Sequence, residues 1–251
     1  MRGAAPQLSL FPEHDEPGFE PGFDVRESAR ARNLSIKVYP RGRVEVVVPK
    51  RTRPNEVQSF VKENSEWIRK ARESFALTHP PEPFRLPDKI DLGGIGQRVL
   101  VRYEHRHNAK SVRCRSGKQL VVLTGQIGND KLCVKALKRW LACVAKKEFE
   151  PRLRALSGLT ETPYGKLQVR AQRTCWGSRS STGTISLNLC LLFLEPALLR
   201  YLMIHELCHG RHMNHSKSFW HYVGKFEPNY KKLDRELTES WKRVPSWIGI
   251  Y

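Results

Sequence analysis

The sequence predicts an α+β fold with a β-rich N-terminal part that contains one helix, followed by a helical part that contains a short sheet. Two observations predict it: apolar and polar residues alternate in stretches between residues 34 and 123, and apolar residues recur at helical intervals from residue 130 onwards. We expect a flexible tail at 1–25, a β-rich region at 26–128 and a second domain at 129–251.

The first half of the chain contains the predicted strands. Residues 1–25 are rich in proline and glycine and have no periodic apolar pattern, which is typical of a flexible tail. Alternation at 34–38 and 44–48 flanks a Pro40-Arg41-Gly42 turn and predicts a β-hairpin. A helix should begin at Pro54, end before residue 79 and pack on this hairpin, with Trp67 on its apolar face. Alternation at 97–103 and 110–123 predicts further strands, the latter stretch interrupted at Ser116-Gly117.

The second half is predicted to be mainly helical. Asn129-Asp130 is a capping pair that precedes a basic amphipathic helix. Short strands are expected at 166–170 and 184–189, around a Gly/Ser-rich segment at 175–183. Pro196 suits the first turn of a strongly apolar helix that runs into His209 and Gly210.

The composition restricts the setting of the protein. A net charge of +19 predicts attraction to polyanions, with non-specific nucleic-acid binding as a possible consequence. No apolar run approaches the length of about 20 residues that a membrane span needs, and the N-terminus lacks a signal-peptide pattern. Six cysteines without a C-x-x-C pair are typical of reduced thiols, so we expect a cytoplasmic protein without structural disulfides and without a membrane partner.

The apolar helix at 196–209 carries the chemistry. It contains His205-Glu206-Leu207-Cys208-His209, an HExxH motif that sets both imidazoles on one helix face, a turn apart. Two such imidazoles can bind one zinc ion, and Glu206 can reach a water molecule at the open position of the ion. Cys208 should be turned away from this face, as a small buried residue.

Two histidines compete to be the third ligand. His212 would share the face only if the helix continued, and it would then lie about 10 Å along the axis from His205. His215 follows a possible turn at Met213-Asn214 that can fold the chain back beneath the metal, so we favour it. The predicted Zn²⁺ ligands are His205, His209 and His215, with Glu206 as the catalytic base.

Three segments carry a resemblance to a known family: NLSIKVYPRGRVEVVVPK, TCWGSRSSTGTISLNLCL and YLMIHELCHGRHMNHSKSFW. Together they resemble the YgjP-like zinc metallopeptidases over about residues 26–243, and that family is similar to zincin-fold and SprT-like proteases. The resemblance implies a zincin-like domain at 129–251, with the same three histidine ligands and the same glutamate base. It also suggests that Ile185, Ser186, Leu187 and Asn188 form a sheet edge that binds an extended substrate. One departure is that Cys175 and Arg179 stand where the family usually has arginine and cysteine.

The function predicted from these residues is a zinc-dependent metallopeptidase, which hydrolyses peptide bonds of proteins by Glu206-assisted attack of a zinc-bound water. The alternative is a basic nucleic-acid-associated binding or adaptor protein with a structural or inactive zinc site. Hydrolysis of a non-peptide amide also stays open. The sequence gives no prediction of the oligomeric state.

Overall fold

The computed structural model describes residues 22–29, 31–39, 44–78, 84–172 and 175–248. Its strands are β1 (Phe23–Glu27), β2 (Ser35–Val38), β3 (Val44–Val48), β4 (Lys89–Leu92), β5 (Gln97–His105), β6 (Val112–Ser116), β7 (Leu120–Gly125), β8 (Lys166–Arg170), β9 (Gly177–Arg179) and β10 (Thr184–Asn188). Its α-helices are α1 (Pro54–Glu63), α2 (Ser65–Thr78), α3 (Asp130–Leu159), α4 (Pro196–Cys208), α5 (Lys217–Phe226) and α6 (Tyr230–Glu239). The predicted α+β class is confirmed, and the chain divides into two compact units, Met1–Leu77 and Thr78–Tyr251.

The first unit contains the predicted hairpin and the helical stretch that packs on it. β2 and β3 pair antiparallel, while the turn predicted at residues 40–42 lies outside the described residues. Val44, Val46 and Val48 of β3 form a small core with Val57, Val61 and Ile68, which confirms the helix packing. Two details differ from the prediction: the helical stretch is divided at Asn64, and Trp67 is 52% exposed because it lies off the packed face.

The last residues of the predicted N-terminal tail, 1–25, overlap a strand. Residues 1–21 lie outside the described part of the chain, but Phe23–Glu27 form β1, which pairs parallel with β3. The predicted boundary at residue 25 is therefore wrong, because it falls inside β1. The pairing partner lies some twenty residues away in sequence, so a local pattern does not reveal it.

The second unit is built on a mixed four-stranded sheet, in the order β4-β5-β7-β6. β5 and the β6–β7 pair occupy the predicted positions, while β4 was not predicted. The side chain of Asn129 accepts a hydrogen bond from the backbone N–H of Leu132, which confirms the predicted cap of α3. The buried face of α3 joins the core that also contains the inner face of this sheet and most of α4.

The second unit also contains a three-stranded sheet, in the order β8-β10-β9. Its strand β9 contacts α4, where Gly177 lies against Glu206. β10 pairs parallel with β8 and antiparallel with β9, so it is the central strand. The expectation that Ile185–Asn188 form a sheet edge is therefore wrong, and these four side chains are buried. The edge beside β10 is β9, in the Gly/Ser-rich segment where no strand was predicted.

Three further features bear on the predictions. The predicted domain boundary at 128/129 falls within the second unit, between β7 and α3, and the assignment of 129–251 as a domain stays a prediction. All six cysteines are free thiols. Within the described ranges, no helix combines the length and apolar character required to cross a bilayer.

Candidate metal centre

Helix α4 places two of the three predicted histidines. Pro196 occupies its first turn, as predicted, and its apolar residues are buried in the main core. Burial over nearly the whole circumference fixes the helix rotation, so His205 and His209 emerge on one side near its C-terminal end. Cys208 is fully buried, in agreement with the prediction that it packs as a small apolar residue.

The chain then returns to bring a third histidine to the same place. α4 ends at Cys208, and five residues separate His209 from His215. α5 begins just after, where the hydroxyl of Ser216 accepts a hydrogen bond from the backbone N–H of Phe219. This cap fixes the start of α5 and with it the position of His215, one residue earlier.

The three imidazoles converge on one point. Nε2 of His205 lies 3.2 Å from Nε2 of His209 and 3.0 Å from Nε2 of His215. One ligand atom from each of the three side chains lies within 4.8 Å of the other two. Burial, together with the neighbouring rings of His209 and His215, lowers the pKa of His205 to about 3, and burial also lowers the pKa of His209. Both rings are therefore held in the neutral form that binds a metal ion.

Hydrogen bonds at the other ring nitrogens fix the orientation of two imidazoles. Nδ1 of His209 donates to the backbone carbonyl of His212, 2.9 Å away. Nδ1 of His205 lies 3.4 Å from the hydroxyl of Tyr201, which itself donates to Asp234 at 2.7 Å. Because the hydroxyl proton of Tyr201 is given to Asp234, the Tyr201 oxygen is left to accept from Nδ1 of His205. Both contacts leave Nε2 as the free, unprotonated nitrogen.

A buried aromatic ring from α5 supports all three histidines. The ring of Phe219 stacks on His209 with centroids 4.5 Å apart, and it meets His205 and His215 edge-on at 5.0 and 4.9 Å. Phe219 has no exposed surface, so it cannot move aside without opening the core. The rings are therefore packed in place before any ligand binds.

Glu206 follows His205 in α4 and is a buried and incompletely satisfied carboxylate. Its side chain is 4% exposed, and among the described residues its Oε2 has no hydrogen-bond partner. Burial raises its pKa to about 8, against the opposing effect of the Arg179 cation. A buried acceptor without a partner is costly in a folded protein, so this oxygen is a strong sign of a functional group.

Strand β9 closes over this carboxylate at Gly177. A Cβ atom at residue 177 would lie 2.8 Å from Oε1 of Glu206, closer than real Cβ contacts come. Only glycine lets the strand pass here without displacing the Glu206 side chain. Sequence analysis missed this residue, although a glycine within a short strand is a known sign of close approach by another group.

Arg179, on the same face of β9 as Gly177, supplies the nearby positive charge. One of its terminal nitrogens donates to the carbonyl of Pro163 at 2.8 Å, while the other is buried and has no partner within the described parts of the chain. A Cβ at Gly210, two residues after the end of α4, would lie 2.9 Å from this guanidinium. The departure at Arg179 noted in the sequence thus places a cation beside the Glu206 carboxylate.

The donor set and its spacing fit a zinc ion. Imidazole nitrogens at about 2.0–2.1 Å from a tetrahedral zinc ion stand about 3.3 Å apart, close to the 3.0 and 3.2 Å observed from His205. His212 does not belong to the cluster, since it turns its carbonyl towards His209 and packs its ring against Tyr222. Three convergent imidazoles beside a buried carboxylate are the groups of a metal-dependent hydrolase.

Comparison with known proteins gives the family. The profile described as YgjP-like, metallopeptidase domain matches residues 32–240, so the chain belongs to the YgjP-like metallopeptidase family. The metallopeptidase zymogen abylysin of Pyrococcus abyssi is 30% identical, with 36% of this chain and 92% of that chain covered and a TM-score of 0.33. The metallopeptidase zymogen jannalysin of Methanocaldococcus jannaschii is 16% identical, with 37% and 95% covered and a TM-score of 0.34. No curated protein sequence matches the chain.

Proposed function

We propose that this metallopeptidase is zinc-dependent, with His205, His209 and His215 as the metal ligands and Glu206 as the general base. The convergence of three Nε2 atoms next to an unpartnered buried carboxylate carries the proposal. A zinc ion held there would lower the pKa of a water molecule to about 7 and polarise the carbonyl of a peptide bond.

Glu206 is suited to move the proton. Its Oε2 atom is free to accept a proton from the attacking water. The same oxygen can then deliver the proton to the leaving nitrogen. Arg179 opposes complete neutralisation of this buried carboxyl and so keeps it able to act as a base.

The free edge of β9 is the proposed support for an extended substrate. The backbone groups of Trp176, Ser178 and Ser180 face β10: the carbonyl of Trp176 accepts from Asn188, and the N–H of Ser180 donates to Thr184. Because backbone groups alternate in direction along a strand, those of Gly177 and Arg179 point towards the unpaired side. A peptide added at this edge would form main-chain hydrogen bonds next to Glu206. This assignment replaces β10, whose two edges are already paired.

A structural zinc site in a binding or adaptor protein receives less support. Such a site normally closes its fourth position with a protein ligand, whereas the described cluster contains three ligands and leaves a carboxylate buried beside it.

The proposed setting remains the cytoplasm, and the six free thiols support it because reducing compartments keep cysteines unpaired.

Metal analysis combined with cleavage of an unfolded protein tests the proposal. The purified chain should contain about one zinc per molecule, and Glu206→Gln should keep the zinc but lose at least about a hundredfold in cleavage rate. Glu161→Gln is a matched control, because Glu161 is 84% exposed and lies outside the cluster. Equal cleavage by both variants, or a protein that binds no zinc, would contradict the proposed mechanism.

A further inference from the structure

The outer face of the four-stranded sheet is unusually basic. Alternation along its strands turns Leu100 and Arg102 of β5, Val122 of β7, and Arg113 and Arg115 of β6 to the side that is not packed in the core. The strand register aligns Arg102, Val122 and Arg115 in one row across three strands. The row therefore has an apolar centre with a cation at each end.

Within the described residues, Arg102, Arg113 and Arg115 form no ion pair or side-chain hydrogen bond, whereas Arg98 on the same face is paired with Asp91 at 2.9 Å. Glu104 of β5 is an acidic residue on the same face, in one row with Thr124 and Arg113. Because Arg98 is paired with Asp91, the three remaining arginines outnumber Glu104, and the face keeps an excess of positive charge.

Apolar surface lies between the cations. Leu100 is 58% exposed, and the register places it beside Leu120 of β7, in the row next to that of Arg102. At the end of the sheet, a cleft of about 390 Å³ is lined by Arg106, Arg113, Arg115 and His107 together with the single acid Glu104, and the exposed ring of His105 lies next to that of His107. Flat apolar contacts and imidazole rings accept unstacked bases, while guanidinium groups bind phosphates.

We propose that this face, formed by Leu100, Arg102, Arg113, Arg115, Leu120 and Val122, binds single-stranded nucleic acid. A double helix offers mainly phosphates to such a flat surface and would leave the apolar centre unused. A single strand supplies both phosphates for the arginines and bases for the apolar residues. The proposal is independent of the metal site, because none of its residues belongs to the histidine cluster.

Fluorescence anisotropy on the full chain tests this proposal with a labelled single strand of about 16 nucleotides and with the same strand annealed to its complement. Arg102→Gln/Arg115→Gln should weaken binding of the single strand about tenfold. It should also reduce the slope of log affinity against log salt by about 1.4, as expected for two lost phosphate contacts. Lys146→Gln/Lys147→Gln on α3 removes the same charge from exposed positions of another surface, and should change neither value.

A second variant tests the apolar part of the face. Leu100→Ser should reduce the preference for the single strand over the duplex, while its exposed position leaves the fold intact. The proposal is overturned if the two double variants lose equal affinity, if the duplex binds as tightly as the single strand, or if no binding is measurable. Competition by polyglutamate as effective as that by unlabelled strand would assign the face to acidic proteins instead.

Discussion

Gly177 of β9 lies against the carboxylate of Glu206 so closely that a Cβ atom at this position would stand 2.8 Å from Oε1. The nearest atoms all belong to the Glu206 side chain, so added bulk would move that side chain and spare the backbone. Strand β9 therefore contains the proposed substrate edge and also limits where the proposed base can lie.

Gly177→Ala should lower the cleavage rate about a hundredfold without loss of zinc, because a shift of the base by about 1 Å is enough to disturb proton transfer. Steady-state cleavage and metal content measured on the same preparation check this. Ser178→Ala is the matched control, since Ser178 is the exposed residue between Gly177 and Arg179. A fully active Gly177→Ala enzyme would show that Glu206 has room to spare.

Tyr201→Phe should weaken zinc binding about 10- to 100-fold, because it removes the hydroxyl that accepts from Nδ1 of His205 and donates to Asp234. Competition with a chromophoric chelator measures the affinity. Tyr103→Phe is the control, since the Tyr103 hydroxyl donates to the carbonyl of Pro87 at 2.7 Å, away from the histidines. Both variants should lose about 1 kcal/mol in the unfolding free energy of the metal-free protein, but only Tyr201→Phe should lose zinc affinity.

His212→Ala should keep the zinc, whereas His215→Ala should weaken zinc binding more than about a hundredfold. A loss of that size exceeds the effect of removing a group that only supports a metal ligand. The reason is that His212 contributes its backbone carbonyl to His209, and this group survives the substitution, while His215 contributes its ring to the cluster. Titration of the two metal-free variants with zinc shows which of these two histidines is the third ligand. Retention of tight binding in His215→Ala would remove it from the ligand set.

The sequence predicts the elements whose signals are local. The HExxH spacing on an apolar helix placed His205 and His209, and a plausible turn favoured His215 over His212. Strand β9 was missed because its three residues, Gly-Ser-Arg, have no strand propensity, and its conformation depends on pairing with β10.

The same limitation explains the errors at β1 and β10. The parallel pairing of β1 with β3 and the two-sided pairing of β10 are both non-local, so alternation within a segment contains no information about them. Likewise, Tyr201 and Asp234 are 33 residues apart, and only the packing of α6 near α4 reveals the hydrogen bond between them.

Gly94→Ala should destabilise the second unit. Gly94 belongs to a short 3-10 helix after β4, and a Cβ there would lie 2.5 Å from the backbone carbonyl oxygen of Leu191, in the short helix Leu189–Phe193 that precedes α4. Because the obstacle is backbone, no side-chain rotation relieves the overlap, and we expect a loss of about 1–3 kcal/mol in unfolding free energy.

Chemical denaturation of the metal-free protein measures this loss without a contribution from zinc binding. Gly128→Ala is the matched control, since a Cβ at Gly128 would meet no atom within 4 Å and its φ is not positive, and it should stay within about 0.5 kcal/mol of the parent. Equal stability of the two variants would mean that the contact between the 3-10 helices is loose. In that case the entry into α4, and with it the position of the histidines, would be held by the apolar core of α4 alone.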